Sequence, residues 1–287
     1  LNPEAIKLYR QNGIDLSKEP LRVAVCAQHN NGGLRGNRWW ESNINRLFPV
    51  GEVNGSHGIS RPGGSALNAG QVGGLRAAQY ISEVYSDQVK KDKRFQSEIK
   101  KQVSEKLNLA LAALERGSKA TPEPISPDKV KHRIQKRMSR YGALLREEEE
   151  LSQVVEEAKN LLTNLRDRLK VRDAGELPEM FQALHLAITS QVYLDAINWY
   201  VKNDGGSRGS YLIADRDGEK KLEHFSKDLR YRSENKALKE KIQETQFSAR
   251  GDVQHWWVDR RGIPESPQWF ENVWRNYRKG DVYESER

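Results

Sequence analysis

The residues with the clearest chemical potential form one run. Val50-Gly51-Glu52-Val53 leads through His57-Gly58 to Arg61-Pro62-Gly63-Gly64-Ser65-Ala66-Leu67, so an acid, glycines and small residues precede a helical pattern. A helix entered through glycines presents backbone N–H groups that lack intrahelical acceptors, together with the positive end of its dipole. That end suits a phosphate, or the N1/O2 edge of a flavin, where reduction places negative charge. On spacing alone the run is equally a tight turn whose glycines serve backbone shape. His29 follows an apolar run and precedes Gly32-Gly33, where an imidazole could donate to a substrate carboxylate or simply be hydrogen-bonded in place. Arg61 could grip a carboxylate with its planar fork or pair with a local acid.

Other constellations exclude more than they support. Gly205-Gly206-Ser207-Arg208-Gly209 fits the nucleophile-elbow pattern G-x-S-x-G, but that chemistry needs a strand before the serine and a helix after it. A helical pattern precedes it here, so hydrolase chemistry is rejected in favour of a helix terminator with Arg208 bracing a neighbouring loop. The six histidines show no H-E-x-x-H or comparable spacing, and the single Cys26 excludes a disulfide framework and a cysteine-based zinc site. A metal is not expected. The formal charge of +8 raises phosphate-backbone binding, but acids are interleaved with bases throughout, with a run of four at Glu147 to Glu150, which reads as solvated helix rather than a nucleic-acid surface. No run approaches the roughly 18 apolar residues of a membrane span.

These groups must be positioned by two kinds of chain. Twelve of the 22 glycines fall between Gly13 and Gly74, and composition changes near residue 85. Leu21 to Ala27 and Leu47 to Val50 read as buried strands, each followed by a glycine-containing loop. From Ser65 the pattern is helical, with Leu67, Val72, Leu75, Ala78 and Ile81 near one face. Phe95, Ile99, Val103, Leu107, Leu111 and Leu114 predict a helix face ended by Gly117. Ser126-Pro127-Asp128 is a helix start with serine as cap. The series from Tyr141 and Leu144 through Leu151 to Leu169 predicts one long helix, and Phe181 to Trp199 another before Gly205-Gly206. Three amphipathic helices make a bundle. The last 32 residues carry Trp256, Trp257, Trp269 and Trp274 among charges, suited to packing across another domain's surface.

The motifs, taken in order, resemble the C-terminal half of the succinate dehydrogenase/fumarate reductase flavoprotein family, with its aspartate oxidase and adenylylsulfate reductase-like relatives. The segment Leu21 to Gly33, which ends His29-Asn-Asn-Gly-Gly33, resembles the family's H-Y-x-M-G-G. Leu47-Phe-Pro-Val-Gly-Glu52-Val resembles L-Y-A-A-G-E, and His57 to Leu67 resembles H-G-A-N-R-L-G-G-N-S-L. His132 to Met138, with Gly142 and Arg146, resembles the opening of the family's helical domain, and Ser207-Arg208-Gly209 its S-R-G-A-H. The series spans about 190 residues, which makes it far more specific than any single member.

The resemblance implies an α/β segment, the last strands and helix of a Rossmann-like FAD-binding domain (residues 1–85). An all-α bundle domain (86–215) and a charged, Trp-rich extension (216–287) follow. It implies an FAD-dependent oxidoreductase passing hydride between flavin N5 and a small carboxylate-bearing substrate. Glu52 would contact the ribityl-adenosine part of FAD. Gly63, Gly64, Ser65, Ala66 and Leu67 would lie along the isoalloxazine, and His29 and Arg61 would hold the substrate. Ser207, Arg208 and Gly209 would be structural. No G-x-G-x-x-G occurs in these 287 residues, so the ADP side and the cap segment with its proton-donating arginine are expected from another segment or a partner chain. A further partner is expected in an electron-transfer subunit. No nucleic-acid partner and no membrane span are expected, and a cytoplasmic location is. Asn30, Asn31, Ala66, Ala69 and Ser210-Tyr211 depart from the family pattern. Ala66 and the lost Tyr/Met pair at Asn30 and Asn31 favour a second reading, a non-catalytic helical interaction subunit that retains a flavoprotein-like fold.

Overall fold

A computed structural model describes residues 2–21, 32–56, 63–85, 93–118, 124–221, 229–248, 250–262 and 264–286. The chain divides into two units, Leu1–Gln79 and Tyr80–Arg287. The predicted strand Leu21 to Ala27 lies almost wholly outside the described residues, as do Cys26, His29, His57 and Arg61.

The first unit opens with helix α1 (Pro3–Gln11), where Asn2 Oδ1 accepts from Ala5 N at 3.3 Å and proline occupies the first turn. Its other regular elements are a 3-10 turn, Gly51–Asn54, and the start of helix α2 (Ser65–Tyr85). The expected buried strand Leu47 to Val50 is not formed. The segment belongs to no strand, and Leu47 and Val50 are 47% and 36% exposed. Pro49 has no N–H to give to a ladder, which confines such a segment to an edge at best. Helix α2 begins at the expected residue, but its faces are reversed. Gly73, Ala77 and Tyr80 are buried, whereas Leu67, Val72, Leu75 and Ile81 are exposed. Small residues, which permit close approach, mark its buried face.

The second unit is built on α3 (Lys93–Ser118), α4 (Pro127–Arg137), α5 (Glu148–Arg168) and α6 (Leu177–Lys202). One core cluster takes Ala110 and Ala113 from α3, Val130 and Ile134 from α4, Leu161 and Leu165 from α5, and Met180 and Leu184 from α6. Four helices therefore share the core where three were expected. Helix α6 is buried on several sides because α4, α5 and a β-hairpin all pack against it. Helix α3 runs through Gly117 to Ser118. The glycine is needed for another reason: a Cβ there would fall 1.8 Å from Val171 O. Of the predicted stripe, Phe95, Ile99, Val103, Leu107 and Leu111 are exposed while Leu114 packs on the core, which α3 enters through Ala110 and Ala113 with Leu109 beside them. Arg116 donates to Leu169 O at 2.8 Å and Arg166 O at 2.9 Å, closing the C-terminal carbonyls of α5.

Two further expectations are corrected here. Ser126 occupies the N-cap position of α4 with extended backbone, but its side chain makes no capping bond. The long helix does not include Tyr141 and Leu144. After α4 comes a π-helical turn, Met138–Gly142, then strand β1 (Leu145–Glu147), and α5 starts only at Glu148. Three glutamates in the first turn of α5 match the positive end of its dipole. The preceding residues gain sheet partners instead, since β1 pairs in parallel with β2 (Leu212–Ala214), Leu145 opposite Leu212. The sheet has strand order β1-β2-β4-β3, with β3 (Lys220–Lys221) and β4 (Arg230–Tyr231) antiparallel. Beyond it, β5 (Lys241–Phe247) and β6 (Val253–Asp259) form an antiparallel hairpin with Gln243 opposite Trp257, and α7 (Trp269–Lys279) follows. The sequence reading contains no hairpin.

Candidate functional site

The site in the first unit is assembled around the start of α2. Gly64 has φ +79°, in the region that favours glycine, and its carbonyl accepts the bond from Asn68 N at 3.2 Å that opens the helix. The N–H groups of Ala66 and Leu67 lie ahead of that bond and have no carbonyl acceptor within the helix. No acid occurs in the first turn. A Cβ added at Gly63 or Gly64 would meet nothing within 4 Å among the described residues. Ser65 and Ala66 are half-buried and Leu67 is 74% exposed.

Glu52 is brought to the same region by the 3-10 turn, which lies against the second turn of α2: a Cβ at Gly70 would sit 3.4 Å from Gly51 Cα. Gly32 to Leu34 then lock onto the end of that turn. Leu34 N donates to Val53 O at 2.7 Å, and Asn54 Nδ2 donates to Leu34 O at 3.0 Å. Gly33 must be glycine, since its Cβ would lie 2.3 Å from Val53 O. Of the expected residues, Gly63, Gly64, Ser65, Ala66 and Leu67 make the start of α2, and Glu52 lies in the turn whose Gly51 approaches Gly70 of the same helix. His29 and Arg61 lie outside the described residues. The chain leading out from His29, at Gly32 to Leu34, does arrive beside Glu52.

Sequence reasoning missed the support under α2. Trp39 is 3% exposed, and the Arg76 guanidinium sits 4.5 Å from its ring centroid and 5.9 Å from that of Trp40. A Cβ at Gly73 would lie 2.8 Å from the Trp40 indole, so the glycine admits the ring. Adjacent tryptophans inside a Gly/Asn-rich loop were the available signal.

Ser207, Arg208 and Gly209 lie in the second unit. Ser207 is buried, and its Oγ accepts from Ile213 N at 2.9 Å. Arg208 N donates to Tyr211 O, and its guanidinium faces Glu234 at 3.9 Å. A helix precedes this serine and β2 follows it, the reverse of a nucleophile elbow. Nearby, the Arg146 guanidinium lies 3.6 Å from the Tyr211 ring centroid. Burial pulls the Arg146 pKa down and pushes that of the Tyr211 phenol up. The other polar centre is His255, whose Nε2 is 2.8 Å from Asp195 Oδ1 and whose Nδ1 is 2.9 Å from Thr245 Oγ1, with Trp199 stacked on the ring. It fastens the β5-β6 hairpin to α6. Among the described residues no group of three metal-ligating side chains converges.

No family model matches the chain. It is 47% identical over 66 residues to a subunit of the fumarate reductase (CoM/CoB) of Methanothermobacter marburgensis, a stretch covering 23% of this chain and 12% of the relative. It is also 27% identical over 188 residues to an FAD-dependent oxidoreductase of Methanocaldococcus jannaschii, covering 65% of this chain and 32% of the relative. Among solved structures it superposes on a variant FrdA chain of Escherichia coli quinol fumarate reductase with TM-score 0.64 at 17% identity, covering 92% of this chain and 42% of the other. A quinol–fumarate reductase containing menaquinol gives TM-score 0.66 at 18% identity, covering 92% and 43%.

In sequence and in fold, the chain resembles the C-terminal part of the fumarate reductase flavoprotein family. It spans less than half the length of the relatives and structures it matches. The α/β-plus-helical expectation holds coarsely: a helical unit accompanies the glycine-rich segment. No helix among the described residues is long and apolar enough to cross a membrane.

Proposed function

We propose that this chain forms the flavin-ring side of an FAD-dependent oxidoreductase. The observation that supports it is the start of α2: a glycine turn with no described atom near either added Cβ, small residues, no acid in the first turn, and N–H groups of Ala66 and Leu67 that have no acceptor within the helix. Those donors fit the pyrimidine edge of an isoalloxazine, and Ser65 and Ala66 leave room for a flat ring. The likeness to an FAD-dependent oxidoreductase and to fumarate reductase chains supports the same reading.

When bound, FAD supplies the hydride-accepting and hydride-donating centre at N5. This chain's share is electrostatic and positional. The N–H groups of Ala66 and Leu67 and the α2 dipole favour a negatively charged ring edge. Glu52, on the adjoining turn, accepts hydrogen bonds from the ribityl-adenosine part. His29 and Arg61 hold a substrate carboxylate, with Arg61 offering two parallel N–H donors. The ADP side, the proton-donating arginine and the electron-transfer function are assigned to chain outside these residues or to partners.

Titrating FAD into the intact protein, together with the segment or partner chain that holds the ADP side, and following flavin fluorescence tests the proposal. Saturable quenching is expected. Gly63→Asp, which sets a carboxylate beside the α2 start, is expected to weaken affinity for reduced FAD about tenfold relative to Gly63→Asn, an electrostatic difference of about 1.4 kcal/mol. No uptake of FAD, or equal behaviour of the two variants, overturns it. The exposed apolar stripe of α3 favours one second reading, a helical interaction subunit, for which partner binding is the same with and without FAD.

A further inference from the structure

Trp40 combines three features that ordinary core packing does not require. Its φ is 66°, a left-handed backbone that is a steric outlier for a bulky side chain, and it is the one aromatic residue among the described ones to adopt it. Its Nε1 is buried and has no hydrogen-bond partner among the described residues. Its ring lies on a glycine of α2, since a Cβ at Gly73 would fall 2.8 Å from both Cε2 and Nε1. The surrounding loop is rich in glycine and asparagine, which take positive φ readily, yet a tryptophan stands at this position.

The strained backbone is held by hydrogen bonds on both sides. Asn37 Oδ1 accepts from Trp39 N at 2.8 Å and from Glu41 N at 3.0 Å. Asn37 O accepts from Trp40 N at 3.0 Å, and Asn37 N donates to Glu41 O at 2.8 Å. Glu41 is itself buried and accepts from Arg46 N at 2.7 Å. Strain that is over-determined in this way concentrates where local geometry serves function.

We propose that Trp40 is a positioning residue that fixes the turn carrying Glu52 on α2, and thereby sets the separation between Glu52 and the N–H groups of Ala66 and Leu67. The proposal rests on the flavin reading of that site. The turn is tied to the helix at both of its ends. At the first end, Gly51 Cα would lie 3.4 Å from a Cβ at Gly70. At the other end, a Cβ at Gly36 would lie 2.9 Å from Asn54 Nδ2 and 3.1 Å from Trp40 Cα, so the Trp40 backbone is packed beside Asn54. The indole then reaches Gly73, which is three residues beyond Gly70 and on the same face of α2. The left-handed backbone places that ring on the helix. With no hydrogen bond to satisfy it, the ring acts there by shape, as a rigid spacer. A ligand that touches both Glu52 and the start of α2 is sensitive to their spacing, because a misplacement of about 1 Å is enough to weaken oriented contacts.

Two variants test the spacer from opposite sides. Trp40→Gly suits the left-handed backbone and removes only the ring, whereas Gly73→Ala keeps the ring and pushes it off the helix. Without FAD, hydrogen exchange read by mass spectrometry is expected to be about fivefold faster or more in both variants over residues 51–54 and 65–74, with α5 and α6 as in the parent. Oxidised and dithionite-reduced FAD are then titrated into each protein, together with the segment or partner chain that holds the ADP side. Both variants are expected to bind reduced FAD about tenfold more weakly and oxidised FAD less than about threefold more weakly, because the α2 donors act chiefly on the charged ring edge. Trp40→Phe, which retains a ring, is expected to lie nearer the parent. Gly73→Ala should add little in the Trp40→Gly background, since the ring it displaces is gone. Unchanged exchange, equal weakening of both forms of FAD, or additive losses in the double variant overturns the proposal and leaves the flavin reading standing. A parent protein that takes up neither form of FAD overturns the flavin reading, and this proposal with it.

Discussion

At the scale of single residues, Arg137 is the least expected placement. Its side chain is 4% exposed, two of its guanidinium nitrogens have no hydrogen-bond partner, and the nearest acid is Glu157 Oε2 at 3.7 Å. Burial pulls its pKa down, with Arg133 acting in the same direction. A charge held this poorly contributes little, and replacement of such groups by apolar ones is commonly neutral or stabilising. Arg137→Met is therefore expected to raise stability by about 1 kcal/mol, read from the midpoint of a urea transition. Its burial was not legible, since an arginine within Lys-Arg-Met reads as solvated helix even though the His132 to Met138 segment carries the family resemblance. Conversely, Gly64 was legible because its neighbours announce a helix start, and the positive φ follows from that. His255 was not legible: its partners Asp195 and Thr245 are 60 and 10 residues away, and only folding joins them.

At the scale of elements, the main difference from expectation is which face of a helix is buried. Apolar spacing predicts helices α2, α3 and α6, and all three exist. In α2 and α3 most large apolar side chains lie outside, apart from Tyr80, Leu109 and Leu114, while Gly73, Ala77, Ala110 and Ala113 are buried. Hydrophobic period identifies a helix, but close packing of two backbones selects small residues instead. The β5-β6 hairpin is the converse case, absent from the sequence reading because its charged residues obscure alternation. It is held by Trp257, with ring centroids 5.0 Å from Trp199 and 6.0 Å from Tyr200, and by His255 on Asp195. Trp257→Ala is expected to destabilise the second unit by about 3 kcal/mol, measured by chemical denaturation, because a large ring at a packed junction leaves a void.

At the scale of the whole molecule, the two units have unequal cores. Among the described residues, Trp39 and Ala77 are the buried apolar side chains of the first unit, whereas the second has Leu151, Leu165, Leu169, Met180, Leu194 and Ile213 almost wholly excluded from solvent. Amide exchange should accordingly be slowest in α4, α5 and α6 and faster around Gly63 to Ala77. FAD, on the proposed reading, slows exchange at the start of α2 and leaves the α5 and α6 cores unchanged. Hydrogen-exchange mass spectrometry with and without FAD reads both expectations. The sequence by itself determined the family resemblance, the glycine-led start of α2 at Ser65 and the existence of the long helices, because backbone conformation and period are local properties. Only the tertiary structure decided that Gly32 to Leu34 meet the turn carrying Glu52, that Tyr141 and Leu144 leave the helix for a π turn and the approach to a strand, and that Phe270, Val273 and Trp274 of α7 remain exposed. Those outcomes depend on which distant surfaces remain to be covered, and a local pattern carries no record of that.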